Sequence, residues 1–133
     1  MLIKKIEKNK KIIALIIPKG LEKEGTNFFT DNGNPLQVGI FNKKKGVKIS
    51  PHIHRKSKRI IRQTQEIIYI EKGKVRANFY DEKGKKAKSV ILNPGDTVLL
   101  ISGGHGFDLL EDSKALVIKQ GPYHSIKEDK SYF

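Results

Sequence analysis

Cysteine is missing altogether from this chain. Its absence excludes disulfides, thiolate metal ligands and a cysteine nucleophile, so any metal has to be held by imidazole and oxygen donors. Tryptophan is missing as well, and the six phenylalanines and four tyrosines do not interleave with the basic clusters as a base-stacking platform requires. Long apolar runs are also lacking. The longest, IIALII from Ile12 to Ile17, is far short of the roughly 20 residues of a membrane-crossing helix. The N-terminal segment has neither the apolar region nor the small-residue cleavage site of a signal peptide. These absences lead us to expect a cytoplasmic protein with no membrane partner.

Negative charge is the last shortage. Fourteen Asp and Glu stand against 27 Lys and Arg, a formal net charge of +13, and such a surplus attracts polyanions without sequence specificity. The cations are spread along the whole chain, mostly in turns or alternating with apolar residues. A solvated basic surface is the favoured reading, nucleic acid is not an expected partner, and anionic small molecules remain open.

What the chain does have is one domain's worth of short strands. With 133 residues and 37% hydrophobic content, a single compact core is the expectation. KIIALIIPKG closes at Pro18 and Gly20, and NPLQVGIFNKKKG closes at its lysines and Gly46; each run is too short for a helix. EIIYIEKGKVRANFYDEKGKKAKSVILNPGD reads as three strands turned at Glu71–Gly73 and Asp81–Lys85 and ended at Asn93–Asp96. TVLLISGGHGFDLLE predicts a further hairpin around Ser102–Gly104, and KALVIKQGPY a last strand. Only RKSKRIIRQ shows a weak helical period. Many short strands with regular turn signals point to an all-β sandwich or barrel.

Two of the four histidines, His52 and His54 in GVKISPHIH, alternate. On an extended segment both rings project from one face, where two imidazoles can chelate a metal or simply stand solvated. Their setting is specific. Gly46, five residues, then His52-x-His54 resembles the opening of the first cupin motif, and Glu66, six residues, then Gly73 resembles its close. NPGDTVLLISGGHGF resembles the second cupin motif, in which a P-G-D turn leads through a glycine turn to a third histidine, here His105. The closing VIKQGPY is similar to the ending of cupin-fold metalloproteins found with bacterial surface-polysaccharide genes.

The resemblance implies a small jelly-roll barrel, the double-stranded β-helix, formed by residues 1–133 as a single cupin domain. N-terminal strands in 1–45 would pack on or complete the barrel. It further implies one divalent transition metal ion (Fe, Mn, Ni, Zn or Cu) on His52, His54, Glu66 and His105. The implied function is a metal-dependent enzyme acting on a carbohydrate or sugar derivative, with an iron-dependent oxygenase and a non-catalytic binding or sensory module as alternatives. The implied partners are a small-molecule ligand, an anionic sugar derivative among the candidates, and a second copy in a homodimer. Two departures are plain. Eleven residues, RKSKRIIRQTQ, separate His54 from Glu66, which places a basic loop or lid beside the site, with Arg55 and Arg59 as candidate ligand-binding residues. The second motif has Ile101 where a proline is usual and is one residue short before His105. Lys119, Gln120 and Tyr123 are expected near the barrel mouth, with Gln120 and Tyr123 as further candidate ligand-binding residues, whereas Tyr69 and Arg76 have the parity of the outer face.

Overall fold

A computed structural model describes residues 1–133. In chain order the strands are β1 (Lys4–Lys8), β2 (Lys11–Ile17), β3 (Gly25–Phe28), β4 (Gly39–Asn42), β5 (Glu66–Lys72), β6 (Val75–Tyr80), β7 (Lys86–Leu92), β8 (Thr97–Leu100), β9 (Gly104–Leu109) and β10 (Lys114–Lys119). One helical turn, α1 (Ile126–Asp129), follows them. Every strand pairing is antiparallel, so the all-β class expected from the turn spacing is the class observed. The chain divides into two compact units, Met1–Leu21 with Thr64–Phe133, and Glu22–Gln63. No helix is long and apolar enough to cross a membrane.

The first unit is built from two sheets. One has the order β1-β2-β8-β5-β10, the other β7-β6-β9. Alternation decides what lies between them. Ile68 pairs with Val98 and Glu66 with Leu100, and both pairs fall on the face that carries the buried Ile70, Ala14 and Ile16. From the smaller sheet Val75, Ala77, Phe79 and Leu92 are buried in the same cluster. Fully burying a side chain such as Ile70 or Phe79 contributes about 1.5–3 kcal/mol, so this apolar seam holds the two sheets together. Polar contacts stitch its rim: the Lys8 ammonium lies 3.3 Å from Asp81 and that of Lys11 3.2 Å from Glu82, joining the first hairpin to the β6–β7 turn.

The P-G-D turn has a structural duty. Gly95 N–H donates to the Ile70 carbonyl at 2.7 Å and Ile70 N–H to the Asp96 carbonyl at 3.0 Å, while the Asp96 carboxylate accepts from Lys19 N–H and Asn93 N–H. The turn is clamped onto β5, the strand that begins with Glu66.

Strands β2 and β5 to β10 lie where the apolar runs place them. The expected TVLLISGGHGFDLLE hairpin does not form: β8 pairs with β2 and β5, whereas β9 pairs with β6. Ser102–Gly104 is instead a corner between sheets, with Gly103 at φ 68. Three elements went unseen in the sequence. β1 is joined to β2 through Asn9 and Lys10, whose φ of 53 and 63 suit a two-residue hairpin turn; β3 and α1 are too short to carry a period. RKSKRIIRQ forms no helix.

The second unit holds one ladder, β3 with β4, in which Gly25 faces Asn42 and Phe28 faces Gly39. From Lys43 to Gln63 it carries no strand, and every side chain there is exposed.

Candidate functional site

Glu66 opens β5 on the inner face of the larger sheet, and its register partners are Leu100 and Lys119. His105 sits on β9 opposite the wholly buried Phe79, on the inner face of the smaller sheet. The two residues therefore meet across the sheets, with His105 Nε2 3.6 Å from Glu66 Oε2. That is an ion-pair distance, longer than a good hydrogen bond. The His105 imidazole holds the Glu66 carboxyl below its ordinary pKa of 4.5; partial burial opposes this, and the positive charges of Lys119 and Lys130 reinforce it. At neutral pH Glu66 is a carboxylate.

This pair lies in the wall of a cleft of about 710 Å³ belonging to the first unit. Leu100 and Tyr80 supply apolar wall, and Lys119 supplies a cation whose Nζ is 2.9 Å from Asp129 Oδ2. Lys119 is held above the ordinary lysine pKa, chiefly by that bond to Asp129. The same ammonium stands 5.4 Å from the Tyr123 ring centre, within cation–π range.

The other two sequence-derived ligands belong to the second unit. His52 and His54 lie outside any strand, yet their rings are 5.2 Å apart in an edge-on arrangement. His52 Nδ1 is 2.9 Å from the Ser50 carbonyl. A carbonyl only accepts, so Nδ1 carries the proton and Nε2 is left with its lone pair free for a metal.

The residues fit a divalent ion by donor chemistry, imidazole and carboxylate without thiolate. The 3.6 Å between Glu66 and His105 is a span that two bonds of about 2.1 Å to one ion could bridge. The four candidates divide as two pairs between the two units, and no group of three or more His, Asp or Glu side chains is gathered in an arrangement able to hold a metal.

Gln120 does not line the cleft. Its side-chain oxygen accepts the Gln65 N–H at 2.7 Å, fixing the residue before Glu66, and its Nε2 is buried with no partner. Tyr123 stands beside Lys119 outside the cleft wall, and Arg55 and Arg59 are exposed in the second unit. Tyr69 is 40% exposed on the outer face, and Arg76 pairs there with Asp108 at 3.8 Å. The sequence reading missed Tyr80, Asp129, Lys130 and Phe133 in the cleft. The one signal that could have raised them is the aromatic pair Tyr132-Phe133 closing an otherwise polar stretch.

Comparison with family models, with curated proteins and with solved structures finds no match to this chain.

Proposed function

We propose that this protein is a metal-binding cupin whose jelly-roll barrel holds one divalent transition metal ion on His52, His54, Glu66 and His105. In this reading it acts on a carbohydrate or sugar derivative. The observation that carries the reading is the Glu66–His105 pair. Two residues 39 positions apart in the sequence, each singled out by motif spacing alone, meet at 3.6 Å across two sheets in a cleft of ligand size.

When bound, the ion would serve as a Lewis acid toward a carbonyl or hydroxyl oxygen of the ligand. The chain's own groups have separate tasks. His105 Nε2 and Glu66 Oε2 would hold the ion from the two sheets, and Tyr80 with Leu100 lines the cleft wall beside them.

The reading is tested by metal content and affinity. Purified protein is expected to bind close to one equivalent of zinc, manganese or nickel, measured by elemental analysis after dialysis. Replacing both His52 and His54 by alanine should abolish stoichiometric metal with the fold intact, because the core is apolar. Glu66→Gln should weaken binding by at least about ten-fold. Glu71→Gln should leave it unchanged, since Glu71 points outward and is paired with Lys114 at 2.8 Å. Full occupancy in the double histidine variant, or equal losses at Glu66 and Glu71, refutes the site.

A further inference from the structure

The cleft is not open along its whole length. Five residues of the segment 125–133 stand in its wall, Asp129, Lys130, Ser131, Tyr132 and Phe133. Two of these make contacts of the kind a ligand would make. The Asp129 carboxylate sits on Lys119 at 2.9 Å, with both side chains largely shielded from water at 16% and 26% exposure. The Phe133 ring packs edge-on against Tyr80 with 5.2 Å between ring centres and stands beside Gly84 and Gly104, where an added Cβ would come within 3.1 and 2.6 Å of it. These two glycines leave a seat shaped for a ring.

The hold on that seat is weak. Phe133 remains 76% exposed although its ring is seated. The segment's only helix is the single turn α1, capped by Ser125 through one 3.2 Å bond from Glu128 N–H, and it buries no residue. Beside the aromatic seat, the charge pair of Asp129 and Lys119 ties residues 125–133 to the sheet, with the Lys130 charge acting on Glu66 as well. The carboxylate and the ring are each replaceable by the same group on a small molecule.

We propose that residues 125–133 are a displaceable strap that stands in for the ligand of this cleft. Asp129 occupies the place of an anionic group on Lys119, Phe133 occupies the place of a flat ring against Tyr80, and the ligand class is a small anion bearing a planar ring. The proposal rests on the cleft being the ligand site, as in the preceding section, and is independent of whether a metal is bound. Displacement exposes Lys119 and the Gly84–Gly104 seat together, so the strap acts as an internal competitor.

The experiment titrates phenyl phosphate into the full-length parent and into Asp129→Asn/Phe133→Leu, following backbone amide resonances of Tyr80, His105 and Lys119. The dispersion of the spectrum reports that each protein is folded. A strap closed nine-tenths of the time lowers apparent affinity about ten-fold, so the double variant is expected to bind about that much more tightly. In the parent, binding should shift the amides of residues 125–133 as they leave the cleft. Inorganic phosphate, which lacks the ring, should bind more weakly than phenyl phosphate to both proteins, and Lys119→Met should abolish binding of both probes. Equal affinity in parent and double variant, no binding by either, or inorganic phosphate binding as tightly as phenyl phosphate overturns the proposal. Metal content measured on the same samples keeps this outcome separate from the metal reading, because a cleft that binds the ring-bearing anion without metal refutes only the latter.

Discussion

Single carboxylates in this protein do backbone work in spite of the cationic surplus around them. Asp81 is the clearest case. Its Oδ1 accepts the N–H of Lys83 and of Lys85, each at 2.9 Å, and its Oδ2 lies 3.3 Å from the Lys8 ammonium. The bond from Lys85 N–H is the main reason its pKa lies below the ordinary 3.8; loss of hydration opposes it, and Lys83 N–H and Lys8 add to the lowering. A depressed carboxylate contributes stability that is fully present above the unfolded pKa and is lost as the pH falls through the folded value. Asp81→Asn keeps an acceptor oxygen and removes the charge. The variant is expected to melt below the parent at pH 7, with the gap narrowing once the pH drops under about 4, near the ordinary Asp value, and closing at lower pH. Melting temperatures of both proteins at half-unit steps from pH 7 to the acid limit check this, and a gap that stays constant with pH would contradict it.

At the level of elements, the fold turns on the corners where the chain leaves one sheet for the other. Gly73 is such a corner, between β5 and β6. Its φ is +94, and an added Cβ would collide with Ser113 Oγ and the Asp112 carbonyl. The conformation alone costs a non-glycine residue about 1–3 kcal/mol, and the contact is with backbone that cannot swing away. Gly73→Ala is expected to lower stability by more than that conformational cost, whereas Gly106→Ala, with nothing within 4 Å of its Cβ and no positive φ, should change it by about 0.5 kcal/mol or less. Urea unfolding of the two variants beside the parent measures the difference; comparable losses would mean that the corner is not what restricts Gly73.

The corners also mark how far the sequence could be read. Period-two alternation in EIIYIEK puts Glu66, Ile68 and Ile70 on one face, and Glu71 and Tyr69 on the other, before any partner is known. The partners themselves are not legible. β8 lies between β2 and β5, and nothing in TVLL chooses those two over β9; burial of Val98 and Leu100 against Ile16 and Ile68 makes that choice. His105 was found by motif spacing, and its meeting with Glu66 could be expected only from the resemblance. Phe133 had no periodicity to announce it, because its seat is made by the absent side chains of two glycines far from it in sequence. The extended geometry foreseen at His52 and His54 is not realised as a strand, although the rings do come together.

For the molecule as a whole, charge and order are distributed unequally. Between Lys43 and Gln63 the chain carries nine Lys or Arg and no Asp or Glu. The same stretch has no strand, and all its side chains are exposed. Nine mutually repelling cations disfavour compaction of this stretch, and a protease needs an extended backbone of this kind to bind it. Most lysines of the first unit, by contrast, sit in or beside strand ladders. Brief trypsin treatment is therefore expected to cut first after residues in the Lys43–Arg62 stretch, giving two fragments on a denaturing gel. Those fragments should still travel together on native gel filtration. The N-terminal piece contains β2, which is hydrogen-bonded along β8 from Ala14↔Leu100 to Ile17↔Thr97 and buries Ala14 and Ile16 in the core of the first unit. Cutting the connection leaves that ladder and that seam untouched. Intact-mass analysis of the earliest products locates the cuts; first cleavage inside β5 to β10, or separation of the fragments under native conditions, would show that the order of the first unit does not survive without the covalent link through residues 22–63.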